Sequence, residues 1–256
     1  MRVELFRLPV DILSYDATIE RILAAIAAGE RCQHVALNVA KLINARKDTE
    51  LSRDIRASDI VGVDGMGIVY ALRLLGYPTP DRIAGIDLFQ ALIGECAARG
   101  FRPFLLGATP DILAAAQLQL SERYPELVFA GSHHGFYLPE QETCVCNLIR
   151  NSGAHCLFIA MPTPQKERFM ARHRDSLGVP FVMGVGGSLD VIGGRVKRAP
   201  VFVQNLGLEW AYRMMQEPRR LAGRYLRTNL IFAALLAREI LVQMTSGALH
   251  AKFIWK

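Results

Sequence analysis

Asp64 follows the apolar run Ile60-Val-Gly-Val63 and precedes Gly65-Met-Gly67, where the backbone can turn tightly and a ligand can approach closely. A carboxylate so placed can take the proton from a hydroxyl as that oxygen attacks a carbon. Partial burial would raise its proton affinity towards a useful range. Asp is also a good cap for a helix starting near Gly67, and spacing alone leaves both readings open. A second constellation is Gly184-Val-Gly-Gly187 leading to Asp190. Adjacent glycines there present backbone N–H groups to a phosphate or to the edge of a uracil ring. Asp190 suits a hydrogen bond to a ribose or a base, or a turn cap. The sequence has no Asp-x-Asp, the usual divalent grip on a nucleotide diphosphate. If a diphosphate leaves, arginine must neutralise it, and Arg82 and the arginines near the C-terminus are the supply. We therefore expect no metal and no cofactor.

Other candidates read as structural. Gly65-x-Gly67 with Asp87 twenty residues later fails as a dinucleotide fingerprint, because Tyr70 takes the third small position. Cys144-x-Cys146 has no second pair at ligand spacing, so the five cysteines read as reduced packing residues. His133 and His134, neighbours on or just after a strand, are expected to diverge rather than chelate together.

The elements that must position these groups alternate between short β-branched runs and helical patterns, as in βαβ units on a mostly parallel sheet. Strands are expected at 34–37, 60–63, 103–106, 127–130, 156–160 and 181–185. Helices are expected at 16–28, closed by Gly29, at 86–99, closed by Gly100, and at 110–124, opened by Pro110. The fold class is α/β: a Rossmann-like, mostly parallel sheet flanked by helices, with a helical C-terminal appendage. In open parallel sheets ligands bind beyond the carboxyl ends of the strands, where Asn38, Asp64 and Gly184–Gly187 all fall.

Charge divides the chain. Residues 195–256 hold eleven Lys/Arg against three Glu, a net of +8, so the remainder carries −2 of the overall +6. A domain boundary is expected there, with residues 1–195 as the catalytic domain and 196–256 as a basic, aromatic appendage. Arg220, Arg224 and Arg227 share one face of a helix after Pro218, while Leu221, Tyr225, Thr228 and Phe232 lie on a more apolar face. Trp210, Tyr212, Tyr225, Phe232, Phe253 and Trp255 favour docking on an anionic membrane over a merely solvated face. The longest uncharged apolar run of the tail, 230–237, is too short to span a bilayer, and the N-terminal residues do not read as a signal peptide.

Taken in order, a set of segments resembles the bacterial TagA/WecG/CpsF glycosyltransferases (glycosyltransferase family 26). They are Asn38, Val63-Asp-Gly-Met-Gly67, Arg82-Ile-Ala-Gly-Ile-Asp87, Leu105-Leu-Gly107, Tyr124-Pro125, Gly135-Phe136, Pro164-Gln-Lys-Glu167, Gly184-Val-Gly-Gly187 with Asp190, Arg198-Ala-Pro200, and Gly207-Leu-Glu-Trp210 through Arg224-Tyr225. The resemblance runs from about His34 to Tyr225. It implies inverting, metal-independent transfer of a hexose or N-acetylhexosamine from a UDP-sugar to a sugar on polyprenyl diphosphate. The place implied is the cytoplasmic face of the bacterial inner membrane, in surface polysaccharide or wall polymer assembly. It also implies roles: Asp64 as the base, Asn38 and Gln165 on sugar hydroxyls, and Arg82 near the acceptor or diphosphate. Gly186, Gly187 and Asp190 would cradle the UDP, and Arg213, Arg220 and Arg224 would fold over the pocket at the membrane. Where the family often has Thr-x-Asn this chain has Ala36-Leu-Asn38, and Met161-Pro-Thr-Pro164 replaces a glycine-containing turn. These departures leave the donor sugar open among N-acetylmannosamine, its uronic acid, glucose and other hexoses.

The competing reading is a non-catalytic nucleotide- or nucleic-acid-binding α/β protein using its basic tail. The chain has no recognisable RNA-binding module, and basic and aromatic residues interleave only in the tail, so no nucleic-acid partner is expected. An uncovered pocket edge would allow a homo-oligomer.

Overall fold

The computed structural model describes residues 1–78 and 82–245. The chain opens with an antiparallel hairpin of β1 (Arg2–Leu5) and β2 (Leu8–Asp11), turned on Phe6 and Arg7 at φ of 48° and 71°. Two left-handed residues match the twist of the flanking strands. Neither is Gly or Asn, which is why the sequence carries no turn signal there. Asp11 receives both Arg2 Nε and Nη2, at 2.9 and 2.7 Å, and its Oδ2 accepts the Val61 N–H at 2.8 Å. The hairpin thereby occupies a backbone donor on what would otherwise be an open sheet edge.

After α1 (Tyr15–Ala28), capped by Ser14 and closed by left-handed Gly29, the main sheet begins. In chain order it is built from β3 (Cys32–Leu37), α2 (Val39–Ala45), α3 (Thr49–Arg56), β4 (Ile60–Val63), α4 (Met66–Leu74), α5 (Gly85–Arg99), β5 (Pro103–Gly107), α6 (Pro110–Arg123), β6 (Gly131–His133), α7 (Glu142–Asn151), β7 (Cys156–Ala160), α8 (Gln165–Arg172), β8 (Phe181–Gly184) and α9 (Ser188–Ile192). The six strands pair in parallel in the order β4-β3-β8-β7-β5-β6. This is the Rossmann-like α/β arrangement expected. One strand is displaced: residues 127–130 are not in the ladder, which begins at Gly131. Any Cβ at Gly131 would fall 2.8 Å from the Phe104 ring, so pairing beside Phe104 selects the glycine and not the apolar residues before it.

Both faces of the sheet are covered. One core joins the hairpin to α2, α3, α4, α7 and α8 through residues such as Leu42, Leu51, Ile68 and Phe169. The other joins α1, α5, α6 and α9 through Ile22, Phe89, Leu113 and Leu189. Strands buried on both sides explain why they read as continuous apolar runs rather than alternating ones.

The basic tail forms α10 (Val201–Asn205), α11 (Glu209–Gln216) and α12 (Pro218–Thr245). The last of these packs along α2. Its Leu221, Thr228 and Phe232 are buried, and the Phe232 ring meets Phe6 edge-on with centroids 5.8 Å apart. The more apolar face of the helix is therefore turned onto the protein. Outward-facing apolar residues are instead Phe202, Leu206, Met215, Leu226, Leu230 and Leu241. No helix among the described residues is long and apolar enough to cross a membrane. Lys252, Phe253, Trp255 and Lys256 lie outside the described residues.

Candidate active site

The chain leaves β3 for α2 on one face of the sheet and leaves β8 for α9 on the other, although β3 and β8 are neighbours. Two adjacent loops that part in this way open a crevice at the carboxyl end of the sheet. A cavity of about 560 Å³ occupies that place, roofed by α11, α12 and the turn at Leu206–Leu208. Asn38, Asp64, Arg82, Gly186, Gly187, Arg213 and Arg224 all line it. The loop after β5, with Gly107-Ala-Thr109, does not.

Asp64 continues the β4 ladder, its N–H donating to Leu37 O at 3.0 Å. Its carboxylate does not cap α4, whose N-cap Gly65 has no side-chain acceptor. It accepts instead from Gly85 N, the first residue of α5, at 2.9 Å on Oδ1, and from Asn38 Nδ2 at 3.4 Å on Oδ2. The two donors, one at the start of α5 and one on Asn38, fix the plane of the group. Asn38 is engaged twice, since its Oδ1 also caps α2 by accepting Lys41 N–H at 3.0 Å. One amide therefore couples the start of α2 to the orientation of Asp64.

Two lysines on the cavity wall have no counterpart among the residues singled out from sequence. Lys41 Nζ lies 2.8 Å and Lys166 Nζ 3.1 Å from Oε1 of Glu167, and Lys166 Nζ also donates to Thr163 Oγ1 at 2.6 Å. All three charged side chains are at least nine-tenths buried. Burial first, and then the Lys41 ammonium, lower the Lys166 pKa to about 8. Burial would raise Glu167, but the two lysines together outweigh it and hold that carboxyl down at about 2. The signal was present as a Lys-Glu pair inside Pro164-Gln-Lys-Glu167 and as a lysine in the apolar run of α2.

The roof brings arginine. A side chain at Gly187 would collide with the Arg213 guanidinium, so glycine there lets the cation lie on the backbone turn. Gly186 beside it is left-handed, at φ 53°. Arg224 stands 5.0 Å from the Tyr225 ring centroid, and Tyr225 meets Trp210 with centroids at 5.9 Å. Arg82 is paired with Glu209 of α11 at 3.2 Å, and Arg198 joins Asp87 to the same Glu209. These ion pairs tie the tail to the start of α5.

Two expected site residues stand elsewhere, and the side chain of a third is not described. Gln165, first residue of α8, is exposed and outside the cavity lining; the helix turns Lys166 inward in its place. Asp190 is not a lining residue but sits behind Gly187, with its Oδ1 taken by Arg195 at 3.3 Å. Arg220 belongs to α12, and its side chain lies outside what is described. His133 and His134 do not diverge: their rings lie 4.6 Å apart, held by His133 Nδ1 against His134 O. Cys144 is exposed and Cys146 buried on α7, so the two thiols serve different surroundings.

The sequence model of the Glycosyl transferase WecG/TagA/CpsF family matches residues 3–246, nearly the whole chain. With the crevice, the held carboxylate and the cationic roof already in place, that match is decisive, and the protein belongs to the WecG/TagA/CpsF family of glycosyltransferases.

Proposed function

We propose that this glycosyltransferase of cell-surface polymer synthesis uses a UDP-sugar as donor and a sugar on polyprenyl diphosphate as acceptor, and inverts the anomeric centre. The observation that carries the reading is the Asp64 carboxylate, held by Gly85 N and Asn38 Nδ2 on one side of a cavity whose roof presents Arg213 and Arg224. Asp64 takes the acceptor hydroxyl proton as the acceptor oxygen bonds to the anomeric carbon. The bond from that carbon to the β-phosphate oxygen breaks, and its electron pair leaves with UDP. Attack from the face opposite the leaving group inverts the centre.

The diphosphate gathers charge as it departs, and guanidinium groups already aimed at that region stabilise it without reorganisation. Arg213 on the Gly186–Gly187 turn is the leading group, with Arg224 beside it and Arg82 available once Glu209 shares it. This chemistry is metal-independent, with arginine in the role a divalent cation would fill. Residues 196–256 act as a docking appendage at the cytoplasmic membrane face. Exposed Leu226, Leu230 and Leu241 on α12 contact the lipid, and neighbouring Arg227 and Arg238 meet its anionic headgroups.

The test is a panel of UDP-sugars incubated with short-chain lipid-diphosphate acceptors, scored by UDP release and product mass. One donor is expected to give a product of inverted configuration in the presence of chelator. No UDP release from any donor removes the donor assignment. Flotation with anionic vesicles tests docking: Leu226→Glu with Leu230→Glu is expected to cut binding severalfold, and unchanged flotation rejects this face.

A further inference from the structure

The buried group of Lys41, Lys166 and Glu167 carries one more positive than negative charge when both lysines are protonated, which is costly unless something answers it. Among the described residues Lys41 Nζ has one acceptor, Glu167 Oε1, and Lys166 Nζ has two, Glu167 Oε1 and Thr163 Oγ1. An ammonium has three N–H donors, so two on Lys41 and one on Lys166 remain unspent. Both residues line the cavity, whereas Glu167, behind them, does not. Gly184, also on the wall, is pressed against the Lys166 stem, since a Cβ there would stand 2.8 Å from Lys166 Cδ. The ammonium is thereby held in one place at the carboxyl end of β8. The groups facing Lys166 are Lys41 from α2, Glu167 from its own helix, Thr163 from the preceding turn, and Asp64 from the loop after β4.

We propose that Lys41 and Lys166 form an oxyanion subsite in the cavity wall, on the sheet side and separate from the roof arginines. It takes either a phosphate of the donor diphosphate or a carboxylate carried by the transferred sugar. The proposal rests on the UDP-sugar reading of the same cavity. An anion meeting the unspent N–H groups restores charge balance among side chains that are at least nine-tenths buried, where charge-assisted bonds are stronger than in water. Its arrival also favours the protonated form of Lys166, which sits near half-protonation at pH 8.

The experiment is calorimetric titration of the intact protein with UDP, a UDP-hexosamine and the matching UDP-hexuronate. It is run at pH 8 in two buffers of different ionisation enthalpy, on wild type and on Lys166→Met. That variant leaves a neutral Lys41–Glu167 pair, and its melting temperature is recorded beside wild type. Wild type is expected to take up a fraction of a proton on binding, and the variant to take up none. Affinity is expected to fall roughly tenfold or more in the variant, as for the loss of one charge-assisted bond. An equal loss for UDP and both sugars assigns the subsite to the diphosphate. A loss confined to UDP-hexuronate assigns it to a sugar carboxylate. Wild type that takes up no proton with any of the three ligands overturns the subsite, whether or not the variant folds. So does a folded variant with unchanged affinity and proton count. Wild type that binds no UDP compound overturns the donor reading and the subsite with it.

Discussion

On the sheet side of the cavity, Asp64 is clamped by Gly85 N and Asn38, and Lys41, Lys166 and Glu167 are almost wholly buried. On the roof, Arg224 is exposed and Arg213 has no carboxylate partner among the described residues. The roof is held down by Phe232 in the core and by Glu209 between Arg82 and Arg198. Buried, hydrogen-bonded groups cannot move without large cost, so the sheet side can keep a carboxylate in a fixed place. Arg224, exposed, loses little on moving, whereas Arg213 is half-buried against the Gly186–Gly187 turn and needs no rearrangement to present its charge. One side fixes geometry, and the other supplies charge.

If that division holds, Asp64→Asn gives the largest effect. Transfer is expected to fall by about 10²–10⁴-fold with donor affinity unchanged, measured by UDP release and calorimetry. Retention of most activity removes Asp64 from the mechanism. Next comes the roof: Arg213→Ala with Arg224→Ala is expected to lower kcat by roughly tenfold to a hundredfold. The fold should survive, because neither guanidinium is part of an ion pair among the described residues. A variant with unchanged kcat would mean that the diphosphate is answered from the sheet side alone.

The hold between the two regions is tested by Phe232→Ala. Loss of a buried ring that packs on Phe6 is expected to cost about 3 kcal/mol, read by urea unfolding. Proteolysis should then cut the tail before the body. The smallest effect is acid sensitivity of the sheet side. Glu167 lies below its usual value when folded, so its contribution is complete above about pH 4.5 and is lost as pH falls towards 2. Stability of wild type should drop across that window, and Glu167→Gln should show a shallower slope. Equal slopes would mean that the lysines do not hold this carboxylate.

Much of this was legible before folding is considered, and for physical reasons. Strands covered on both faces are continuous apolar runs, so β4, β5, β7 and β8 announce themselves, and Gly29 and Gly100 mark helix ends because they are left-handed. The placement of Asp64 after β4 follows from the same pattern. The hairpin at Phe6–Arg7 was hidden, since its turn uses residues that rarely adopt positive φ. Gln165 and Lys166 are adjacent, and sequence alone does not say which of them the first turn of α8 points inward.

Composition and order thus determined the α/β class, the family, the place of a carboxylate after β4 and the cationic tail. Local patterns suffice for these, because strand, helix end and net charge are properties of short stretches. Only the tertiary structure decided which donors hold Asp64, which lysines meet at Glu167, and that Phe232 faces the core while Leu226 and Leu230 face outward. Each of these joins residues distant in the chain or selects one helix face from several, and that choice is made by what packs against it.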